Sequence, residues 1–375
     1  MTAAARRDRL DRVRTRMADQ GIDALLLSLG ADLPWLTGYE AMPLERLTML
    51  VLPADGDTPT LVVPRLEAPR VEEQPDLFAI HPWGETDDPI AVVAGLVGAR
   101  RSLAVSDRAW ATFLIGLQQT IPDATWQRSS IVTSPLRAIK DDAEVEALRA
   151  AAQAADRVAA QLLAGDIPLV GRKEAEVSAD LGRRLRAEGH DRVNFAIVGS
   201  GPNAASPHHE PGDRVIGAGE AIVCDFGGTM DGYCSDITRT IFTSPRSGHR
   251  SEPPQEFREL YAVLQAAQAA AVDAATVGTT CEAVDAAARD RITEAGYGEH
   301  FIHRTGHGIG LEEHEDPYLV SGNAEPLASG HAFSIEPGIY LSGRFGARIE
   351  DIVVAAADGP DALNRADHDL HVVEA

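Results

Sequence analysis

Cysteine is scarce. Cys224, Cys234 and Cys281 are the only three in 375 residues, an odd number with no CxxC spacing. That argues against a disulfide scaffold and makes a reducing cytoplasm the default compartment. Long apolar runs are missing too: ALLLSLGA, residues 24 to 31, falls far short of the roughly 18 to 20 residues that a membrane span needs. Positive charge is short. Lysine and arginine number 34 against 57 acidic residues, a net charge of −23, which argues against nucleic acid and anionic membrane as main partners. Several motifs are present only as fragments. DFGG contains the kinase DFG, without an HRD loop or VAIK strand. GSGPNA imitates a dinucleotide fingerprint, but Pro202 and Pro207 oppose an immediate helix and no βαβ unit follows. HEDPY is not HExxH, which excludes a zincin.

What is present suits an ordinary soluble globular protein of two domains, with 44% hydrophobic and 24% charged residues. In the arginine-rich amino end, Leu10, Val13, Met17 and Ile22 recur at helical spacing. No apolar core with a small-residue cleavage site follows, so a first helix is expected rather than a targeting peptide. DALLLS reads as a strand, LTMLVLPADGDTPTLVVPRLE as a hairpin turning at Asp55-Gly56, and PIAVVAGLVGARRSLAVSD as a helix leading into a strand. A break is expected at TSPLRAIKDD, where Pro135 precedes a long alanine-rich helix closed by Gly165. The boundary placed there gives an α/β domain over 1–135 and a second domain over 136–375.

The second domain repeats itself loosely. Each half reads helix, helix, glycine-rich loop, strand; RAEGH and TEAGY end equivalent helices, and AIVCDFGG and AFSIEPG are equivalent strands. Two α+β halves whose strands meet in one curved sheet are expected. In DFGGTMDGYCSDITRT the Asp231-Gly232 turn places Asp225 and Asp236 on paired strands, and SIEPGIYLSGRFGARIED does the same for Glu336 and Glu350. All four acids have apolar neighbours, and a buried carboxylate must be protonated, paired or coordinated. If the halves face each other, four negative charges converge, which two divalent cations would balance. His307, set between Gly306 and Gly308, is the obvious imidazole to join them. Oxygen-rich ligation with one imidazole suits manganese, cobalt or iron, with zinc also admissible. A two-metal centre activates a bridging hydroxide for hydrolysis.

The order Asp225, Asp236, His307, Glu336, Glu350, with the words DFGG, SDITRT, RTGHGIGL, HEDPY, SIEPGIY and RIED, resembles the pita-bread metallopeptidases. The likeness is to the branch that holds Xaa-Pro dipeptidases (prolidases) and Xaa-Pro aminopeptidases. The resemblance implies a small creatinase-like α/β domain before a pita-bread α+β domain with a pseudo-two-fold repeat and a curved sheet. It implies that the five residues just named are metal ligands for two divalent ions, Mn2+ or Co2+ first. Glu336 would also shuttle a proton from the attacking water to the leaving nitrogen. His314 would hydrogen-bond the substrate carbonyl or the developing oxyanion. His208, or its neighbour His209, would be the second catalytic histidine, and Arg348 would orient carboxylates or contact substrate. A homodimer is the family habit.

The activity so implied is hydrolysis of the Xaa-Pro bond, of dipeptides first, with longer peptides as the aminopeptidase alternative. A non-peptidase hydrolase or lyase on this fold, and a catalytically dead binding module, are the other readings. Three side chains carry subsidiary expectations. Cys224 should point away from Asp225 and pack, whereas Cys234 shares a face with Asp236 and could approach the metals. Thr238 is placed to hydrogen-bond a ligand carboxylate. Arg46, in GYEAMPLERLTML, is either a charged residue at a strand's start or, delivered by a partner subunit, a clamp for a dipeptide's free carboxylate.

Overall fold

The computed structural model describes residues 3–244 and 252–374. The chain forms two compact units, Met1–Arg137 and Ala138–Ala375.

The first unit is built on a six-stranded mixed sheet. Its spatial order is Ala79–Trp83, Thr60–Pro64, Met49–Pro53, Ala24–Leu27, Ser102–Val105, Thr125–Arg128. Ala24–Leu27 is buried along its length because it pairs on both sides, antiparallel to Met49–Pro53 and parallel to Ser102–Val105. Helix Ala3–Asp19 buries Leu10, Val13 and Met17 at the expected spacing. The hairpin at Asp55-Gly56 forms as read.

The break falls within TSPLRAIKDD as expected, but Pro135 does not make it. It lies inside helix Ser130–Ala138, and the interruption comes later, at 139–141. A proline there removes the N–H that would have bonded the carbonyl of Ile131. Arg16 supplies the missing donor, its Nε 3.2 Å from that oxygen.

In the second unit each half lays two helices against a sheet. Helices Asp142–Leu163 and Glu174–Ala187 pack Val158, Leu162, Val177 and Leu181 onto Ile222, Cys224, Phe226 and Ile237. Helices Gln255–Ala274 and Cys281–Glu294 pack Leu260, Leu264, Val284 and Ile292 around Phe333, Ile335 and Val353. Just beyond the second helix of each half stands a glycine in the left-handed region, Gly189 at φ 111° and Gly296 at φ 87°. The repeat read from RAEGH and TEAGY is thus a repeat of helix ends.

The expected curved sheet is carried by two ladders. The first runs Val372–Glu374, Ile237–Ser244, Ala221–Met230, Arg192–Ser200, with Tyr233–Cys234 attached to Ala221–Met230. The second runs Glu315–Leu319, Gly306–Gly308, Ala332–Ile335, Asp351–Ala356, Gly359–Ala362. They meet at a bridge between Thr238 and Glu350. Arg239 clasps the junction. Its guanidinium, with Asp351 almost wholly buried, donates to Asp351 at 2.7 Å and to the carbonyls of Thr238, Glu350, Ala366 and Asp367. Burial pushes Asp351 up, yet Arg239 and His368 outweigh it and hold its carboxyl below the ordinary range.

Candidate metal centre

Strand alternation aims the first acid. On Ala221–Met230, Ile222, Cys224 and Phe226 face the helices, so Asp225 faces the opposite side. The other three acids depart from expectation. Asp236 lies just before strand Ile237–Ser244, Glu336 just after Ala332–Ile335, and Glu350 between Phe345–Arg348 and Asp351–Ala356. Each occupies a break in its ladder, where the backbone can turn a carboxylate inward that a regular pleat would fix to one face.

His307 is held between two close backbone contacts. A Cβ on Gly306 would meet the Ser334 carbonyl oxygen at 1.9 Å, and one on Gly308 would meet that of Asp316 at 2.2 Å. Only glycine admits that approach. The His307 Nδ1–H donates to the Gly308 carbonyl at 3.1 Å, so the lone pair of Nε2 points inward. It faces Glu336 at 3.4 Å and Asp236 at 3.8 Å. Burial and the neighbouring His314 push this imidazole down to about 3, so it is neutral and these are not ion pairs.

Asp236, His307 and Glu350 offer ligand atoms within 4.8 Å of one another, all buried. The acids are strained electrostatically. Burial, then Glu350 and Asp225, hold Asp236 well above the ordinary carboxylate range. Burial, then Glu336 and Asp225, do the same to Glu350. Burial raises Glu336 to about 7 against the pull of Arg348. Asp225 is raised by burial despite its ion pair with Arg348. Asp225 Oδ1 and Asp236 Oδ1 are buried without a hydrogen-bond partner. The contrast with Asp351 is instructive. That carboxylate is as deeply buried but fully partnered, and its pKa falls. Orphaned oxygens, an inward imidazole lone pair and mutual repulsion among hard oxygen donors fit divalent cations.

Above the acids opens a cavity of about 500 Å3. It is lined by all eight residues singled out in the sequence: His208, Asp225, Asp236, His307, His314, Glu336, Arg348 and Glu350. The His314 ring lies 3.9 Å from that of His307, centroid to centroid. Arg348 donates to Asp225, to Thr238 Oγ1 at 3.0 Å and to Tyr340 at 3.0 Å. Thr238 in turn donates to Glu350 at 2.6 Å, the hydrogen bond expected of it. The two adjacent histidines have different surroundings, and Glu174 is the difference. That buried carboxylate takes the His209 ring at 2.8 Å, along with Ser200 and Asn203, which anchors the turn and leaves His208 to line the cavity.

Cys224 is in the core. Cys234 does not reach the acids, its sulfur instead packing 3.7 Å from the Leu311 carbonyl and the Asn194 amide. Arg46 pairs with Glu45 at 3.0 Å and Glu85 at 3.3 Å.

Sequence reading missed six cavity residues: Phe195, Ile197, Pro207, His303, Arg304 and Glu313. Phe195 and Ile197 alternate on strand Arg192–Ser200, a period-2 signal that was legible. Arg304 stands in the quoted RTGHGIGL. His303 gave no signal, and it enters through tertiary contact, its Nδ1–H on the Arg304 carbonyl and its Nε2 accepting from Tyr340.

Known proteins resemble this chain along most of its length. Residues 146–357 match metallopeptidase family M24, and residues 9–139 match the creatinase/prolidase N-terminal domain. A Mycobacterium tuberculosis protein named probable dipeptidase PepE is 44% identical over 361 residues, covering 95% of this chain and 93% of that one. Xaa-Pro dipeptidase of Lactobacillus helveticus is 34% identical over 376 residues, 97% of this chain and 98% of that one. A crystal structure of recombinant prolidase from Thermococcus sibiricus superposes with a TM-score of 0.91 at 35% identity, over 97% of this chain and 98% of that one. The chain therefore belongs to metallopeptidase family M24, its peptidase domain preceded by a creatinase/prolidase N-terminal domain.

Proposed function

We propose that this chain is a metal-dependent exopeptidase that hydrolyses the Xaa-Pro bond, of dipeptides first. The observation that carries the reading is the meeting of three buried carboxylates, the partly buried Glu336 and one inward imidazole lone pair under a cavity of about 500 Å3. The relatives named Xaa-Pro dipeptidase and prolidase support the substrate class.

Asp225, Asp236, His307, Glu336 and Glu350 would hold two divalent ions, manganese or cobalt by preference of the donor set. When bound, such a pair supplies Lewis acidity and makes water nucleophilic at neutral pH. The protein's own groups do the rest. Glu336 takes a proton from the attacking water and delivers it to the proline nitrogen as the C–N bond breaks. That nitrogen is tertiary in the substrate and needs this proton to leave as a secondary amine. His314 donates to the oxygen on which negative charge develops. His208 contacts the residue after the scissile bond. Arg348 fixes Asp225 directly and Glu350 through Thr238. The three buried, unpaired cysteines suit a reducing cytoplasm. Among the described residues no helix is long and apolar enough to cross a membrane.

The test is hydrolysis of Ala-Pro and Ala-Pro-Gly by metal-stripped protein with and without manganese, cobalt or zinc. Cleavage that needs metal and favours the dipeptide is expected. Comparable or faster cleavage of the tripeptide would move the assignment to aminopeptidase. Stoichiometric metal binding with no cleavage of either would favour the lyase or non-peptidase readings.

A further inference from the structure

Each of the four acids has to turn its oxygens inward, and three of them are steered by a donor to the carboxylate itself. Arg348 holds Asp225, Thr238 holds Glu350 at 2.6 Å, and Ser334 Oγ lies 3.4 Å from Glu336. Asp236 has no such donor among the described residues. Its Oδ1 is orphaned, and the neutral His307 stands 3.8 Å from its Oδ2. Its aim is therefore set by the backbone. Ser235 and Asp236 form the break between strands Tyr233–Cys234 and Ile237–Ser244. On one side Ile237 enters the ladder opposite Phe226. On the other, Ser235 fastens the break: its N–H donates to the Gly228 carbonyl at 2.8 Å, and its hydroxyl is gripped by His190.

His190 ends the RAEGH stretch, one residue past the left-handed Gly189. Its Nδ1 lies 3.1 Å from the Leu185 carbonyl, which can only accept, so that nitrogen carries the proton. Nε2 is then a bare lone pair, 2.8 Å from Ser235 Oγ, and Ser235 spends its one proton there. The Gly228 N–H donates in turn to Ser235 Oγ at 3.1 Å. The donors thus run one way, from Gly228 through Ser235 and His190 to the end of helix Glu174–Ala187. His190 is 3% exposed and Ser235 0%. Two glycines make room for the pair: a Cβ on Gly227 would strike the Ser235 carbonyl oxygen, and one on Gly228 would stand 2.8 Å from His190 Cδ2. A buried histidine with both nitrogens met is ordinarily core packing, but this one ends on the residue beside the one acid that lacks a donor. We propose that His190, acting through Ser235, is a positioning residue that aims Asp236 into the metal centre. This rests on the metal-centre reading above. Partners of this kind fix a ligand's orientation, and losing one costs ~10–100-fold in metal affinity.

The experiment is titration calorimetry of manganese into metal-stripped full-length protein, run well below the melting temperature of each variant. The set is wild type, Ser235→Ala, His190→Leu, His190→Gln, and Ser235→Ala combined with His190→Gln. Ser235→Ala and His190→Leu are each expected to weaken manganese binding by roughly 10- to 100-fold. His190→Gln, whose amide oxygen can accept the Ser235 proton, should stay within about threefold of wild type. That rescue should vanish once residue 235 is alanine, the double variant binding as weakly as Ser235→Ala alone. A pair that only packs the core would lower the melting temperature of the metal-free protein and leave the manganese Kd unchanged, and that result overturns the assignment. So does a loss in Ser235→Ala that His190→Leu does not share. If His190→Leu fails to melt cooperatively, Ser235→Ala and His190→Gln decide in its place. Wild type that binds no manganese sinks the metal-centre reading and this inference together. Wild type that binds manganese, with Ser235→Ala binding it equally well, sinks this inference alone.

Discussion

At the scale of single residues, Asp236 and Glu350 show what burial means when the strongest neighbouring charges are other acids. Each is pushed up by burial and then by neighbouring acids. A carboxyl whose folded pKa exceeds its unfolded value favours folding only at low pH. Its contribution is complete below the ordinary carboxylate range and is lost as pH rises through the folded value. Metal-free protein should therefore melt lower at neutral pH than in mild acid, until other groups titrate. Manganese should raise the neutral melting temperature by several degrees, on the scale of ~2–4 °C per kcal/mol. Asp236→Asn should stabilise the metal-free form at neutral pH and abolish the manganese response. Calorimetry at two pH values, with and without metal, checks all three; a wild-type melt indifferent to both would remove the electrostatic case for a cation site. That these acids converge was legible, because each is flanked by apolar residues and paired with a second acid across a hairpin. That three of them occupy breaks in the ladder was not, since a break is set by what the opposite half contributes.

At the scale of elements, the loop that carries His307 and His314 is secured from below. Lys140 Nζ lies 2.6 Å from Glu315, with the two side chains 1% and 7% exposed. Glu315 opens the strand that pairs with Gly306–Gly308 across a register shift, so the ion pair fixes the return of the loop. Lys140→Met leaves the Glu315 charge buried without its ammonium and should cost about 3–5 kcal/mol. Adding Glu315→Gln should recover part of that loss, because a neutral amide is cheaper to bury. Urea melts of the two variants in the presence of manganese read the difference; a Lys140→Met midpoint equal to wild type would show that the pair does not secure the loop. Lys140 and Glu315 are separated by most of the second unit, so no local pattern announced them. Pro135 makes the same point in reverse. Local rules disfavour a proline inside a helix, and this helix survives because Arg16, far off in sequence, bonds the carbonyl that the proline leaves free.

At the scale of the molecule, the two halves of the second unit are joined through Arg239 and Asp351. The Asp351 carboxyl is held below its ordinary range, so its contribution to stability is present above the unfolded carboxylate pKa and lost as pH falls through the folded value. Arg239→Met removes five donated bonds and strands a buried carboxylate, at a cost of about 3–5 kcal/mol. Because one of those bonds is to the Glu350 carbonyl, manganese affinity should fall with stability. Titration calorimetry at a temperature where the variant remains folded separates the two, and unchanged affinity would mean that the junction does not position Glu350. The repeat itself was readable from matched helix ends and matched acids. The junction was not, because Arg239 has no counterpart in the pattern: SDITRT reads as a strand, and nothing in it says that one arginine is turned inward.

The ladder of the first half contains a strand drawn from far downstream, Val372–Glu374 lying parallel to Ile237–Ser244. On a ribosome, which delivers the chain from its amino end, that edge stays open until the last of these residues has emerged. Everything between, including His307, Glu336 and Glu350, is synthesised before the sheet can close. An open edge of this kind is a template for pairing with another chain, so the nascent protein stays open to association until Val372–Glu374 has been laid down. The same ordering delays assembly of the site, because Glu350, the last of its acids, is made 125 residues after Asp225.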